Sequence, residues 1–349
     1  MTLARISRLQ EQINPGQYFF ITNLINVRYL TCFTGSNAAL LVSKDEAIFA
    51  TDSRYEIQAQ NQVPDIKAVI GRNFPELLLS KLPNSEVLIE GSDLSVDAFR
   101  RLETRYAHSF TVTTGVIERL RAVKDESEVA LIRTACEITS RSFLDVIESV
   151  KPGQTEKEVR NALENLMREN GADDIAFASI VAAGSNSAIP HHEPTDRVIE
   201  VGDFLKIDFG AKFSGYHADC TRTVVIGKPN DWQVELHAAV TVSQQAGRET
   251  IRAGIKFTEV ENAVNSSLLA SGYREFFTHG LGHGVGLEIH EDPFFGRVED
   301  AKIAPNTVIT IEPGAYLINK GGVRVEDTIV VSSQGYQNLT NLTYELLEL

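Results

Sequence analysis

Five side chains of the kinds that bind hard metal ions lie in five short strand-like or glycine-rich segments. They are Asp208, Asp219, His283, Glu312 and Glu326. Four carboxylates cannot be buried together as anions, because each raises the pKa of the others. They can share a buried site only around cations. Four oxygen ligands and one nitrogen ligand suit manganese, iron, cobalt or zinc, and their number suits two ions. The pattern predicts the dinuclear metal centre of a hydrolase.

The sequence around each carboxylate indicates how deeply it is buried. Asp208 lies in LKIDFGA, Glu312 in VITIEPGA and Glu326 in GGVRVEDTIVV. A carboxylate inside such an apolar strand requires a buried partner. Asp219 follows a glycine-containing turn, and a hairpin around that turn would place Asp208 and Asp219 opposite each other. For Asp219 alone, a polar turn or edge position is an equally good explanation.

Three histidines fall within the glycine-rich segment HGLGHGVGLEIH, namely His279, His283 and His290. A single histidine beside glycines is more often structural than a ligand, but three in one loop favour a functional site. The segment lacks the third glycine of a dinucleotide-binding GxGxxG motif and the second histidine of a zinc-binding HExxH motif. Its glycines permit close approach of the backbone.

His191 and Arg324 complete the candidate site. His191 follows a proline in SNSAIPHHEPT, where the alternative is an exposed polar loop. Arg324 precedes Glu326 by two residues, so a regular strand would direct both side chains to one face and let the arginine offset the carboxylates. The neighbouring His192 is predicted to lie outside the site or at the surface. Structural or surface positions are predicted for the remaining histidines, His108, His217 and His237.

The second part of the chain contains an internal repeat. Residues 150–171 align without a gap with residues 251–272, with matching glycine, glutamate and apolar positions. Downstream, the repeat continues through three pairs of candidate site residues: Asp208 with Glu312, Asp219 with Glu326, and His191 with His290. The simplest arrangement is two similar α/β halves related by a pseudo-two-fold axis, with the metal site on that axis.

The periodicity of apolar residues predicts two domains. Residues 1–118 alternate short apolar strands with helices, and this small α/β domain carries no ligand cluster and no phosphate loop. Residues 119–349 begin with a long helix. A capping box of Thr155 and Glu158 then opens a second helix, which Gly171 ends. Two domains also agree with the length of 349 residues, which exceeds the usual size of a single core.

Charge and cysteine content limit the partners and the compartment. The net charge is −14 and 43% of the residues are hydrophobic, which is ordinary for a globular protein and unfavourable for binding nucleic acid or an anionic membrane. Three widely separated cysteines argue against a disulfide framework and favour a reducing compartment. The sequence shows no apolar segment of a secretory signal and no membrane-spanning run. We expect a soluble, cytoplasmic protein.

The ordered set of five metal-binding residue types resembles the "pita-bread" metallopeptidases, which include aminopeptidase P, prolidase, methionine aminopeptidase and creatinase. The resemblance covers nearly the whole chain. The segments NVRYLTCFTGSNAALLV and FATDSRY are similar to the creatinase-type N-terminal domain of small bacterial Xaa-Pro peptidases. Methionine aminopeptidases lack this domain and creatinase lacks the full ligand set, which argues against both.

Transferred by position, the resemblance implies a role for each site residue. Asp208 would bind one ion, Asp219 and Glu326 would bridge both ions, and His283 with Glu312 would complete the second. Glu312 would also carry the proton during hydrolysis. The outer residues would position the substrate and its scissile carbonyl: His191, His279 and His290, supported by Arg324. Three positions depart from the family pattern: Cys32, Ser53 and His192 stand where glycine is expected.

The resemblance implies a Xaa-Pro aminopeptidase that releases an N-terminal residue ahead of proline. A Xaa-Pro dipeptidase, or prolidase, is the alternative within the family. An amidohydrolase like creatinase and a metal-free binding module of the same fold are alternatives from other functional classes. The resemblance also implies two divalent ions, manganese with cobalt or zinc as alternatives, together with peptide substrates and a homodimer.

Overall fold

Two units divide the chain, Met1–Arg121 and Ala122–Leu349, in a computed structural model that describes residues 2–297 and 301–349. The division falls inside the helix Val116–Ala122, just beyond the boundary predicted at residue 118. Separate clusters of buried apolar side chains fill the two units, as expected for a chain too long for one core. Among the described residues, every helix is too short or too polar to cross a membrane.

A mixed sheet forms the centre of the N-terminal unit. Its strands are β1 (Gln17–Ile21), β2 (Ala38–Ser43), β3 (Ala47–Thr51), β4 (Lys67–Ile70), β5 (Glu86–Glu90) and β6 (Ser109–Thr113). They lie in the order β4-β3-β2-β1-β5-β6. The antiparallel pair β2–β3 is a hairpin, whereas β1–β5 and β5–β6 are parallel and require crossover connections.

Helices cover this sheet and connect its parallel strands. They are α1 (Thr2–Gln10), α2 (Leu24–Thr31), α3 (Glu56–Gln62), α4 (Phe74–Leu79), α5 (Val96–Arg105) and α6 (Val116–Ala122). Ser95 caps α5 through its side chain, which accepts from the backbone N–H of Ala98. Cys32 ends α2 with a φ of 63°. Glycine adopts this left-handed conformation most easily, which explains why the sequence pattern led us to expect glycine there.

The internal repeat of the second unit is visible in its helices. They are α7 (Glu126–Ile147), α8 (Glu156–Glu169), α9 (Asp231–Thr250) and α10 (Phe257–Ala270). The predicted capping box of Thr155 and Glu158 opens α8. The repeated helices α8 and α10 have 14 residues each. They bury matching stripes, namely Val159, Leu163 and Met167 in α8, and Val260, Val264 and Leu268 in α10. The helical spacing of these side chains explains both amphipathic faces.

The described strands of the second unit form four small sheets. They are β7 (Asp174–Ile175), β8 (Ile180–Ala183), β9 (Phe204–Phe209), β10 (Ala211–Phe213), β11 (Tyr216–His217), β12 (Cys220–Val225), β13 (His283–Gly284), β14 (Glu291–Phe294), β15 (Val308–Ile311), β16 (Gly314–Leu317), β17 (Gly321–Arg324), β18 (Asp327–Ser332) and β19 (Gly335–Asn338). The sheet orders are β12-β9-β8, β14-β13-β15-β18-β19, β11-β10-β7 and β16-β17. The first two sheets contain matching antiparallel pairs, β9–β12 and β15–β18.

One expectation about strand register is corrected. The simple hairpin would place Asp208 opposite Asp219, but Asp208 pairs with Thr221 across β9–β12. The short strands β10 and β11 extend the turn, and Ser214 and Gly215 both have positive φ at its tip. This tip sets a single register for the whole hairpin, in which Phe213 pairs with Tyr216 and Asp208 with Thr221, so Asp219 lies just before β12.

Candidate metal centre

All five candidate ligands lie at or beside the ends of strands. Asp208 is the penultimate residue of β9, His283 begins β13, and Glu312 directly follows β15. Asp219 and Glu326 directly precede β12 and β18. An antiparallel bridge between Thr221 and Glu326 joins the two halves of the repeat at this point. The matched strand pairs therefore bring their carboxylates to one place.

The ligand atoms fall into three overlapping groups, and within each group they lie within 4.8 Å of one another. The groups are Asp208, Asp219 and Glu326; His283, Glu312 and Glu326; and Asp219, His283 and His290. Nε2 of His283 lies 3.5 Å from Oδ2 of Asp219 and 3.6 Å from Oε1 of Glu312. These separations exceed hydrogen-bond lengths. The first two groups share Glu326, and two overlapping groups of oxygen and nitrogen atoms are the arrangement that two neighbouring ions require.

Two buried oxygen atoms provide an independent test of whether the site fits metal ions. Among the described residues, Oδ1 of Asp208 and Oε1 of Glu326 are buried without a hydrogen-bond partner. An unsatisfied buried carboxylate oxygen is costly unless a cation binds it. The other oxygen of Asp208 accepts a hydrogen bond from Arg324, and the other oxygen of Glu326 accepts one from Thr221. The residues therefore fit divalent ions, and the free oxygens point to where such ions bind.

His283 has the tautomer that a metal ligand needs. Its Nδ1 lies 3.0 Å from the carbonyl oxygen of Gly284, and a carbonyl can only accept, so Nδ1 carries the proton. Nε2 therefore presents its lone pair to the carboxylates. Burial lowers the pKa of His283 to about 4, which keeps the imidazole neutral near pH 7.

The glycines around His283 allow close backbone contacts. A Cβ atom at Gly282 would lie 2.2 Å from the carbonyl oxygen of Thr310, and one at Gly284 would lie 2.5 Å from that of Asp292. Real side chains cannot occupy these positions, so the glycines bring the histidine-bearing segment against its neighbouring strands. This confirms the close backbone approach predicted from the glycine-rich sequence.

The acidic groups of the cluster carry raised pKa values. Burial raises the pKa of Glu312 to about 8. Burial, followed by the repulsion of neighbouring carboxylates, also raises the pKa of Asp219 and of Glu326 well above the ordinary range. These shifts are the electrostatic cost of assembling the carboxylates without cations, and bound divalent ions would reverse them.

Arg324 connects the ligand cluster to His279. Its guanidinium forms a buried ion pair with Asp208 and donates to the hydroxyl of Tyr316 at 2.9 Å. That hydroxyl lies 2.8 Å from Nε2 of His279, whose Nδ1 lies 2.8 Å from the carbonyl oxygen of Gly280. Protein groups therefore engage both ring nitrogens of His279. Its substrate contact stays a prediction, and this structure connects it to the cluster through Tyr316.

The remaining candidate histidines, His191 and His290, are exposed and line the same cavity as the metal cluster. The rings of His283 and His290 lie 4.3 Å apart, centroid to centroid. Protein atoms around the ring partly exclude water from it, and this partial desolvation, together with the proximity of His191, lowers the pKa of His290. The cavity has a volume of about 450 Å³. All the site residues predicted from the sequence converge on it. Its apolar lining consists of Phe177, Ile180, Ile289, Phe294 and Phe295.

Sequence reasoning missed three side chains that support the site. Tyr316 lies on the same face of the β16–β17 pair as Arg324, Thr221 follows Asp219 by two residues, and Lys206 precedes Asp208 by two residues. The two-residue period of a strand was the available signal for Thr221 and Lys206, whereas Tyr316 required the pairing of the two strands. Lys206 is fully buried, with its Nζ 5.1 Å from the centre of the Tyr316 ring.

Comparison with known proteins agrees with this geometry. The sequence pattern of metallopeptidase family M24 matches residues 130–333, and the sequence pattern of the creatinase/prolidase N-terminal domain matches residues 5–123. The Xaa-Pro dipeptidase of Pyrococcus furiosus is 36% identical over 337 residues, which cover 94% of each chain.

Solved structures show the same similarity in three dimensions. A Xaa-Pro dipeptidase from Bacillus anthracis superposes with a TM-score of 0.96 at 35% identity, covering 100% of both chains. An X-Pro aminopeptidase from Thermotoga maritima superposes with a TM-score of 0.91 at 36% identity, covering 98% of this chain and 100% of the other. These matches confirm the predicted family and α/β architecture. The chain is therefore a member of metallopeptidase family M24 with a creatinase/prolidase-type N-terminal domain.

Proposed function

We propose that this protein is a Xaa-Pro dipeptidase, which hydrolyses the bond between an N-terminal residue and a C-terminal proline. The observation that carries the proposal is that apolar side chains line the same cavity as the carboxylate–histidine cluster. The sequence alone favoured an aminopeptidase acting on longer peptides. The names of several similar proteins, including those from Pyrococcus furiosus and Bacillus anthracis, support the dipeptidase instead.

The apolar lining and a cation at the cavity offer the contacts that such a dipeptide needs. Proline has a fixed backbone torsion and no amide hydrogen, so its ring would pack on Phe294 and Phe295 without leaving a donor unsatisfied. Arg297 lines the same cavity, is exposed, and lies 4.3 Å from the centre of the Phe294 ring. Its guanidinium would bind the C-terminal carboxylate, which a dipeptide presents immediately after the proline ring.

Five residues would hold two divalent ions. Asp208 would bind the ion at one site, and His283 with Glu312 would bind the ion at the other. Asp219 and Glu326 would serve both sites. Glu326 belongs both to the group with Asp208 and Asp219 and to the group with His283 and Glu312, and Asp219 of the first group lies 3.5 Å from His283 of the second, which supports their shared role. Bound ions would supply Lewis acidity and lower the pKa of a water molecule.

The protein's own groups would move and hold protons during the reaction. Glu312 lies beside His283 and is only partly buried, so its carboxylate can reach the cavity. We assign it to accept the proton of the attacking water and deliver it to the prolyl nitrogen. His290 would donate a hydrogen bond to the carbonyl oxygen of the scissile peptide bond as negative charge develops on that oxygen. His191 faces the same cavity and would orient the peptide from its other side.

Matched peptides test the proposal. Ala-Pro, Ala-Pro-Ala and Ala-Ala should be assayed side by side with the manganese-loaded protein. We expect rapid cleavage of Ala-Pro, weak cleavage of Ala-Pro-Ala and negligible cleavage of Ala-Ala. The variant Arg297→Ala should raise KM for Ala-Pro about tenfold or more, because it removes a charged partner of the carboxylate. Equal cleavage of Ala-Pro and Ala-Ala would refute the prolyl specificity and leave the metallopeptidase assignment intact.

A Xaa-Pro aminopeptidase is the second candidate. The similarity to the X-Pro aminopeptidase of Thermotoga maritima, which has 36% identity and spans both chains almost completely, favours it. Faster cleavage of Ala-Pro-Ala than of Ala-Pro would select this candidate. The same outcome would remove the carboxylate-binding role of Arg297.

We also propose manganese as the physiological metal and a homodimer as the functional assembly. The oxygen-rich ligand set supports manganese over softer metals, with cobalt and zinc as alternatives. Metal analysis of protein purified without added metal would test the first proposal, because a preparation loaded mainly with zinc would contradict it. Light scattering coupled to size-exclusion chromatography would test the second, and a monomer of 38.5 kDa would contradict it.

A further inference from the structure

A buried carboxylate outside the metal cluster organises the segment that carries His191. Glu156, the first residue of α8, is 0% exposed. Its Oε1 accepts from the backbone N–H of Ala183 at 2.8 Å and from Nδ2 of Asn186 at 3.0 Å. Its Oε2 lies 2.8 Å from Nε2 of His192 and accepts from the N–H and the hydroxyl of Thr195 at 2.9 and 2.7 Å. One carboxylate therefore holds both ends and the middle of residues 183–195.

A buried lysine holds the same segment at its centre. Nζ of Lys206 donates to the carbonyl oxygen of Ile189 at 2.6 Å and to that of Pro190 at 3.3 Å. Arg324, which also pairs with Asp208, donates to the carbonyl of Pro190 at 3.2 Å. These carbonyls immediately precede His191. The guanidinium of Arg324 is a charged donor, and charge-assisted hydrogen bonds are stronger than neutral ones. The bonds from Lys206 and Arg324 therefore tie the backbone on the N-terminal side of His191 to strands β9 and β17.

The two adjacent histidines have different environments. His191 is exposed and lines the cavity, whereas His192 is 8% exposed and contacts Glu156. Residues 189–195 lie outside the helices and strands of the fold. Backbone ladders therefore do not fix the direction of His191, and side-chain contacts of its neighbours must do so. Because His192 is the next residue, its bond to Glu156 limits the rotation of the backbone that carries His191.

We propose that Glu156 and His192 form a positioning pair that sets the direction of His191 at the metal centre. The proposal rests on the proposed function for its activity readout, since His191 is there assigned to orient the peptide. His192 is then a positioning residue and acts only through His191. The alternative is that Glu156 and His192 only stabilise the fold.

A double-mutant cycle separates the two explanations. His192→Leu removes the donor to Glu156, whereas His192→Gln retains a side-chain N–H at nearly the position of Nε2. We expect His192→Leu to lower kcat/KM for Ala-Pro by about 10- to 100-fold, the scale of a misplaced catalytic contact. His192→Gln should retain most of the original kcat/KM. In the His191→Ala background, His192→Leu should cause little further loss. A full additional loss in that background would overturn the proposal.

A spectroscopic comparison makes the test independent of the substrate. The ring resonances of His191, followed by ¹⁵N NMR in metal-depleted protein, should shift in His192→Leu and return in His192→Gln. Thr195→Val, which removes one donor to Glu156, should cause a smaller shift if His192→Leu does not fold. Glu193→Gln changes an exposed carboxylate of the same segment and should leave activity and resonances unchanged. Unchanged His191 resonances in both His192→Leu and Thr195→Val would overturn the positioning role, whichever peptide the enzyme cleaves.

Discussion

Thr221 and Glu326 join the two halves of the catalytic unit at the metal cluster. The backbone N–H of Glu326 donates to the carbonyl oxygen of Thr221 at 3.1 Å. The hydroxyl of Thr221 donates to Oε2 of Glu326 at 2.7 Å. Oε1 of the same carboxylate is buried without a hydrogen-bond partner among the described residues. The threonine thus fixes one oxygen of the carboxylate and leaves the other directed at the cluster.

The variant Thr221→Val tests this relationship. It keeps the shape of the side chain but leaves Oε2 of Glu326 without its donor and Nε of Arg324 without the hydroxyl that accepts from it at 3.1 Å. Removing one partner of a buried charged group costs about 1–3 kcal/mol, so we expect the free energy of unfolding of metal-depleted protein to fall by that amount. Urea denaturation measures it. Thr343→Val, at an exposed position, should change stability by no more than about 0.5 kcal/mol. Equal effects of the two variants would contradict the inferred role of Thr221.

Removal of divalent ions should affect both activity and stability. Chelation should abolish peptidase activity, and manganese or cobalt should restore it, because the four carboxylates then regain their counter-ions. Metal at about 1,000 times its Kd should stabilise the protein by roughly 4 kcal/mol and raise Tm by about 10 °C. Differential scanning calorimetry before and after metal addition measures the shift. Full activity in thoroughly metal-depleted protein would refute the metal centre.

Glu312 is proposed to act as both ligand and proton carrier. The variant Glu312→Gln should preserve the fold and reduce kcat by about 100-fold or more, the scale of lost general acid–base catalysis. Metal content must be measured in the same sample, because a lost ion would also lower kcat. Glu275→Gln, at an exposed position in the same half of the repeat, serves as the matched control. A fully loaded Glu312→Gln enzyme with near-normal kcat would remove Glu312 from proton transfer.

His237 should make stability depend on pH. Burial, together with the charge of Arg222, lowers the pKa of His237 from 6.5 to about 4. The unfolded chain therefore binds more protons than the folded one between these values, and stability falls as pH drops from 6.5 towards 4. Over this whole pH range, the free energy of unfolding should fall by roughly 3 kcal/mol because of His237. This fall should be reduced in His237→Gln, which cannot titrate.

Urea denaturation of metal-depleted protein at pH 7 and pH 4.5 measures this dependence. The quantity to compare is the loss of stability between the two pH values, because other acidic groups titrate equally in both proteins. The original protein should lose about 2–3 kcal/mol more than His237→Gln. Identical losses would show that His237 does not titrate differently in the folded and unfolded states.

Short-range patterns in the sequence were enough to predict most of the candidate site residues. Asp208, Glu312 and Glu326 are recognisable because a carboxylate interrupts an apolar strand, and His283 because it lies in a glycine-rich segment. Asp219 is recognisable only through its match with Glu326 in the repeat. The capping box at Thr155 and Glu158 and the repeated apolar stripes of α8 and α10 depend on neighbours within a few residues. The repeat then indicated that the two halves pair their carboxylates. Such features are encoded by short-range spacing, which a single sequence contains in full.

Tertiary structure alone decided how these side chains are held. The ion pair between Arg324 and Asp208 joins residues 116 positions apart, and Glu156 meets His192 across 36 positions. Tyr316 connects Arg324 to His279, a contact that its sequence position does not indicate. Contacts of this kind depend on strand register and on the packing of distant segments, and a shift of one residue reverses the direction of every side chain in a strand. The candidate ligands could therefore be predicted from sequence, whereas their hydrogen-bond partners required the fold.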